Sequence, residues 1–227
     1  LPAIIDVHGG PEYQAFPRLD PVRQYFVQRG YILLVPNIRG SLGYGKAYSH
    51  LDDVRLRGNS VKDVVYGAEW LKQSGHADPQ KIAVMGISYG GFMTLACLTM
   101  YPEVWAAGVD IVGTANFITF LKNTGPYRRE HRIAEYGDPE KDGDFLREIS
   151  PSSHVDKIRA PLMVIQGAND PRVPQSESEQ IVDAIRKRGG VVEYLLFDDE
   201  GHGISKLKNQ IIAYRAMADF LDKHLGT

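Results

Sequence analysis

Six apolar runs, at residues 1–7, 31–36, 81–85, 107–112, 161–166 and 191–197, recur along the chain and are nearly continuous rather than alternating. A strand with one wet face alternates, whereas a continuously apolar strand is buried on both faces, as in a parallel sheet covered by helices. Helical patterns lie between the runs. Val61, Val64, Val65, Ala68 and Leu71 share one face of a 3.6-residue period, with Ser60 placed to cap it. Ile181 and Ile185 lead through Arg186-Lys187-Arg188 to Gly189-Gly190, a helix stop with cations in the last turn. Ile204, Leu207, Ile211, Met217, Phe220, Leu221 and Leu225 mark a long closing helix. This alternation predicts an α/β fold with a mostly parallel sheet and helices on both faces. One stretch breaks the rhythm: residues 114–151 are polar, Arg-rich and expected to be irregular. Ligands of such sheets bind at the carboxyl ends of strands, so this insertion is placed to cover a site.

Composition narrows the function. The 227 residues suit one large domain or two small ones and can hold a core without staples; a single domain, residues 1–227, is expected. With 28 acidic against 26 basic residues the formal charge is -2, which lacks the footprint of a nucleic-acid groove or an anionic-membrane binder. Cys97 is the single cysteine, so an intrachain disulfide is excluded and a cysteine-ligated zinc site has no basis. No apolar run reaches bilayer-spanning length, and no His/Asp/Glu cluster has metal-ligand spacing. The chain opens with Leu1 inside a strand, so it is expected to be part of a longer protein; one unpaired cysteine and no leader favour the cytoplasm.

The chemistry centres on Gly86-Ile87-Ser88-Tyr89-Gly90-Gly91, which follows the run at 81–85 and precedes a helix-compatible stretch, 92–100. That is the strand–turn–helix context of a nucleophile elbow. A serine on so sharp a turn can project above the sheet only if its neighbours two positions away carry no side chain, which Gly86 and Gly90 supply. The serine needs a base oriented by a third group, expected in the order Ser, acid, His. Of the four later histidines, His202 stands between glycines just after the last strand, while His131 and His154 fall in or at the exit of the insertion and His224 on the closing helix. His202 is therefore the base. The acid is Asp170, in the loop Gly167-Ala168-Asn169-Asp170-Pro171-Arg172-Val173-Pro174 after the run at 161–166. A plain turn-forming role before Pro171 stays open, as does Asp110 as an alternative acid. Asp198 and Asp199 are too near His202 in sequence to approach its ring from the side. The oxyanion donors are the backbone N–H groups of Tyr89, directly after Ser88, and of Gly10 in His8-Gly9-Gly10-Pro11, with His8 bracing that loop. Gly43-Tyr44-Gly45 lacks the third glycine of a dinucleotide loop, and no phosphate-binding P-loop is present.

Together these residues resemble the catalytic domain of the prolyl oligopeptidase family of serine peptidases, most closely its acylaminoacyl-peptidase and dipeptidyl-aminopeptidase-like branch. The resemblance runs through nearly the whole chain: His8-Gly9-Gly10-Pro11, Asn37-Ile38-Arg39-Gly40-Ser41-Leu42-Gly43-Tyr44-Gly45, the helix at 63–71, Gly86 to Gly91, Glu135-Tyr136-Gly137-Asp138-Pro139, Ser150-Pro151, 169–174 and Glu200-Gly201-His202-Gly203. It implies an α/β-hydrolase fold, Ser88, Asp170 and His202 as triad, and no cofactor. It also implies that Arg172 binds a substrate backbone carbonyl, and that a pocket beside the nucleophile is lined by Phe117, Phe120 and Tyr127. Gln166-Gly167 departs from the His-Gly of many relatives without touching the triad. The family's N-terminal β-propeller and the two strands before the His-Gly-Gly strand are missing here, leaving the strand at 31–36 as an exposed apolar edge. The expected partners are a short peptide substrate and that propeller in the parent protein, with homo-oligomerisation open and no nucleic acid or membrane. The activity implied is peptide hydrolysis; a carboxylesterase with the same triad and a non-catalytic scaffold are the rivals.

Overall fold

In the computed structural model, which describes residues 1–226, each of the six apolar runs carries a strand. The strands β1 (Ala3–Val7), β2 (Ile32–Leu34), β3 (Ile82–Ile87), β4 (Ala107–Ile111), β5 (Leu162–Gly167) and β6 (Val192–Phe197) form one sheet in the order β2-β1-β3-β4-β5-β6. Every pairing is parallel, with Val7 opposite Gly86 and Gly86 opposite Asp110. The pleat sends alternate residues into two cores. Ala3, Ile5, Val7, Ile82 and Val84 face the layer of α3 (Arg57–Gln73), α4 (Tyr89–Met100) and α8 (Gln175–Lys187). Ile4, Ala83, Met85, Val109 and Ile165 face α9 (Leu207–Leu225), and Phe26 of α1 (Pro21–Gln28) joins that second core. Helix α4 is apolar on all sides because sheet and helices enclose it completely: every residue before Met100 is buried. A short α2 (Lys46–Ser49) completes the segment before α3.

Three expectations need correction. Helix α3 begins at Arg57, not after Ser60, whose side chain is buried within the helix. A 3-10 turn, Val54–Leu56, feeds directly into it, and buried ion pairs of Arg57 rather than a serine cap fix its start. The closing helix begins at Leu207, leaving Ile204 outside, and Leu207 and Ile211 are exposed. The insertion at 114–151 is not irregular: it holds α5 (Phe117–Asn123), α6 (Pro126–Tyr136) and α7 (Gly143–Ile149). Asn116 accepts from the Ile118 and Thr119 amides to cap α5, and Pro126 opens α6. The inward face of α6 is Arg132, Glu135 and Tyr136, so its amphipathic pattern carries no aliphatic signature.

The chain leaves β1 towards β2 at one edge, then returns to β3 on the other side of β1. That reversal opens a crevice at the carboxyl ends of β1 and β3, where ligands of open α/β sheets bind. Strand β2 lies at the sheet edge as expected, but only three residues long and half-buried, with Ile32 and Leu34 packed on one core and Leu33 on the other. Among the described residues no helix is long and apolar enough to cross a membrane.

Candidate active site

Ser88 occupies the turn between β3 and α4 with φ +60° and ψ −114°, a region costly for a residue with a side chain. Its N–H donates to the Ile111 carbonyl at 2.8 Å, which pins the turn to the neighbouring strand. The flanking glycines are required by space. A Cβ on Gly90 would collide with the Val7 carbonyl, one on Gly86 with the Gly90 backbone, and one on Gly91 with the Asp110 carboxyl and Gly113.

His202 Nε2 lies 2.9 Å from Ser88 Oγ, and His202 Nδ1 lies 2.7 Å from Asp170 Oδ2. The other Asp170 oxygen accepts the backbone N–H groups of Arg172 at 2.8 Å and Val173 at 3.0 Å. With Nδ1 donating to the Asp170 oxygen, the Nε2 lone pair faces the Ser88 hydroxyl. The Asp170 side chain is fully buried and that of His202 is 12 % exposed, a setting in which the interaction is little screened. The two loops brace each other: Asn169 N donates to the Glu200 carbonyl at 2.9 Å, and Asn169 Nδ2 to the Asp198 carbonyl at 2.6 Å. Glu200 anchors the exit of the histidine loop by accepting from Ser205, Lys206 and Asn209. Burial alone would raise its carboxyl, but the hydrogen bonds from Asn209, Lys206 and Ser205 outweigh that and hold it at about 2. Asp110, the alternative acid, lies under the elbow instead, against Gly91 and Gly113, and burial pushes it up to about 7.

The loop after β1 passes directly over the elbow: a Cβ on Gly9 would lie 3.5 Å from that of Ser88. Gly10 takes φ +131°, and its carbonyl accepts from Arg132 Nη1 at 3.5 Å. His8 is buried, with Nε2 2.8 Å from Ser41 Oγ and Nδ1 2.6 Å from the Gly9 carbonyl, while Ser41 donates onward to the Ile38 carbonyl at 2.6 Å. Burial holds its imidazole below the usual histidine range.

Tyr89 starts α4, and its hydroxyl donates to Asp52 at 2.9 Å while accepting from Arg57 at 3.0 Å. Arg57 is 1 % exposed, pairs with Asp52 and with Glu135 of α6 at 2.5 and 2.6 Å, and lies near the Tyr89 and Tyr136 rings. Burial pushes Asp52 up to about 6 despite Arg57. Burial would also lower Arg57 itself, but Tyr89, Asp52 and Glu135 reverse that and keep it charged. This network escaped the sequence reading because Arg57 falls in a charged stretch that looks solvated. Of its two acids, Asp52 lies 5 positions away, but Glu135 lies 78 positions away on α6, a proximity that spacing does not report.

Phe117 and Phe120 are buried and meet Phe92 and Tyr136 in one aromatic cluster. Tyr127 is 74 % exposed and makes no ring contact with them among the described residues, so the three expected pocket residues do not form one wall. Arg172 is exposed, on the loop whose amides hold Asp170.

Known proteins resemble the chain over nearly its whole length. A family profile described as "Prolyl oligopeptidase family" matches residues 17–227. Dipeptidyl aminopeptidase BIII of Pseudoxanthomonas mexicana is 38% identical over 231 residues, covering 100% of this chain and 34% of that protein. A puromycin-hydrolyzing peptidase of Mycobacterium tuberculosis superposes with a TM-score of 0.96 at 32% identity, over 99% of this chain and 34% of its own. The acylaminoacyl peptidase of Pyrococcus horikoshii gives 0.93 at 26% identity, over 99% and 37%. The chain thus spans about a third of the length of these relatives. With a parallel sheet, a serine on a glycine-flanked elbow and a profile match over nearly its whole length, the chain belongs to the prolyl oligopeptidase family.

Proposed function

We propose that this chain is the catalytic part of a serine peptidase that hydrolyses peptide bonds of short or N-acylated peptides through an acyl-enzyme on Ser88. The observation that carries this reading is the hydrogen-bonded line from Ser88 Oγ through His202 to Asp170. His202 Nε2 takes the Ser88 proton as Oγ attacks the scissile carbonyl, and the Tyr89 and Gly10 amides receive the developing oxyanion. The protonated imidazole then gives its proton to the leaving amine, and the C–N bond breaks. Water, deprotonated by the same nitrogen, hydrolyses the ester and restores Ser88. Asp170 keeps Nδ1 protonated throughout and stabilises the imidazolium.

The peptidase and aminopeptidase names of the relatives favour a peptide over a simple ester. Arg172 adds to this, as a charge-assisted donor suited to a peptide carbonyl that a small ester lacks. The relatives' greater length supports residues 1–227 as one catalytic domain of a longer protein that also carries the propeller. A cytoplasmic setting fits a lone buried cysteine. The test is kcat/KM on a short peptide and on a matched small ester. Ser88→Ala is expected to abolish both, and Arg172→Ala to lower the peptide value far more than the ester value. Equal losses after Arg172→Ala favour the esterase, and peptide turnover surviving Ser88→Ala contradicts the mechanism.

A further inference from the structure

Helix α6 bridges the two loops that frame the nucleophile, and beside its buried Glu135 and Tyr136 it turns two arginines inward, Arg132 buried and Arg128 half-buried. At its N-terminus, Gly125 N donates to the Pro171 carbonyl at 3.1 Å and Thr124 Oγ1 to the Arg172 carbonyl at 2.7 Å, which ties it to the acid loop. In its middle, Arg132 donates to the Gly10 carbonyl at 3.5 Å and to the Glu12 carboxylate at 3.0 Å, which ties it to the oxyanion loop. Its last residue, Tyr136, stacks on Tyr89, beside Ser88, at 6.4 Å between centroids. Arg128, Arg132 and Tyr136 recur at every fourth position, so one stripe runs from the acid loop to the residue after the nucleophile.

Arg132 is compensated by Glu12, but Arg128 is not. Among the described residues no carboxylate pairs with Arg128, and its Nη1 is shut off from solvent with no hydrogen-bond partner. Burial first, then the Arg132 charge and more weakly that of Arg172, lower the Arg128 guanidinium below its usual range; the Tyr136 and Tyr127 hydroxyls oppose this only in part, and no carboxylate does. Arg172, at the same end of the helix, also forms no ion pair among the described residues. A partly buried guanidinium facing other cations costs free energy until an anion arrives. The planar fork of arginine matches a carboxylate with two parallel hydrogen bonds.

We propose that Arg128, together with Arg172, forms a carboxylate-binding subsite where α6 meets the acid loop, selecting peptides that carry an acidic group near the scissile bond. The inference rests on the peptidase reading and specifies its substrate class. The carboxylate can belong to an acidic side chain or to a free peptide C-terminus; both present the same two oxygens.

The test is calorimetric titration of the Ser88→Ala protein with four short peptides: a free acid and its amide, and an amidated pair carrying Glu or Gln in place of one residue. At least one charged ligand is expected to bind roughly 10- to 100-fold more tightly than its neutral counterpart. Preference in the first pair identifies a terminal carboxylate, and preference in the second an acidic side chain. Adding Arg128→Gln is expected to collapse that ratio to within about twofold, while Arg128→Lys keeps part of it. Equal affinities, including no measurable binding of either member in both pairs, overturn the subsite, as does a preference that survives Arg128→Gln in a folded sample. Turnover by the wild-type protein is read separately. Charge-selective binding without cleavage of any peptide removes the peptidase reading and leaves the subsite, whereas cleavage without selectivity does the reverse.

Discussion

Ser88 is held in a backbone conformation that costs on the order of 1–3 kcal/mol, and three glycines crowd around it so closely that a single methyl group would collide with backbone. Gly90→Ala is therefore expected to displace the elbow, because its Cβ would meet the Val7 carbonyl, which belongs to a central strand that has nowhere to move. Loss of reactivity at Ser88 in a protein whose circular dichroism still shows folded structure is the expected result; full reactivity would mean the elbow tolerates a side chain. At Asp170 the change that preserves shape but not charge is the more telling one. Asp170→Asn can turn an N–H towards His202 Nδ1, favouring the tautomer with its proton on Nε2, where it can no longer accept from Ser88. A fall in kcat of roughly 10^4-fold is expected in steady-state kinetics, against little change in thermal stability.

Between elements, Arg57 joins three helices: it starts α3, pairs with Glu135 of α6 and hydrogen-bonds the Tyr89 hydroxyl at the start of α4. Its replacement by Met leaves Asp52 and Glu135 facing each other without a cation. A loss of about 3–5 kcal/mol is expected in urea unfolding, since breaking a buried pair from one side strands its partner. A loss under 1 kcal/mol would show that the carboxyls simply take up protons. This network marks the limit of what the sequence reveals. The strands were readable because continuous apolar runs report burial directly, and the elbow because its glycines are dictated by contacts within six residues of chain. Asp170 and His202 are legible as candidates because topology sends the loops after β5 and β6 to the end of the sheet where Ser88 stands. Helix α6 was not readable, because the side chains it buries are Arg132, Glu135 and Tyr136, which are apolar to no hydropathy scale yet satisfied by partners distant in sequence. Ser60 misled for the converse reason: it has the chemistry of a cap, but the ion pairs of Arg57 extend the helix past it.

Across the whole molecule, the residues of the site come from the carboxyl ends of β1, β3, β5 and β6, so the sheet itself sets their spacing. Two buried carboxyls link that framework to pH. Asp110 under the elbow and Glu177, which accepts from the Ala115 and Asn116 amides, are each pushed up to about 7 by burial. A carboxyl raised in the folded state binds its proton more tightly there than in the unfolded chain. Its contribution is complete below the unfolded value and is lost as pH rises through the folded one. Stability is accordingly expected to decline between about pH 4 and pH 7, and Asp110→Asn to flatten part of that decline in denaturant melts taken across the range. A slope unchanged by Asp110→Asn would mean that the Asp110 proton is not the source.

The central claim is that the four strand ends assemble a working nucleophile within these 227 residues. Labelling with a fluorophosphonate probe, which needs both an activated serine and an oxyanion site, tests it most directly in wild-type, Ser88→Ala and His202→Ala proteins. Labelling of the wild type alone is the expected result. Labelling that survives Ser88→Ala, or a folded wild-type protein that takes up no probe, would contradict the account.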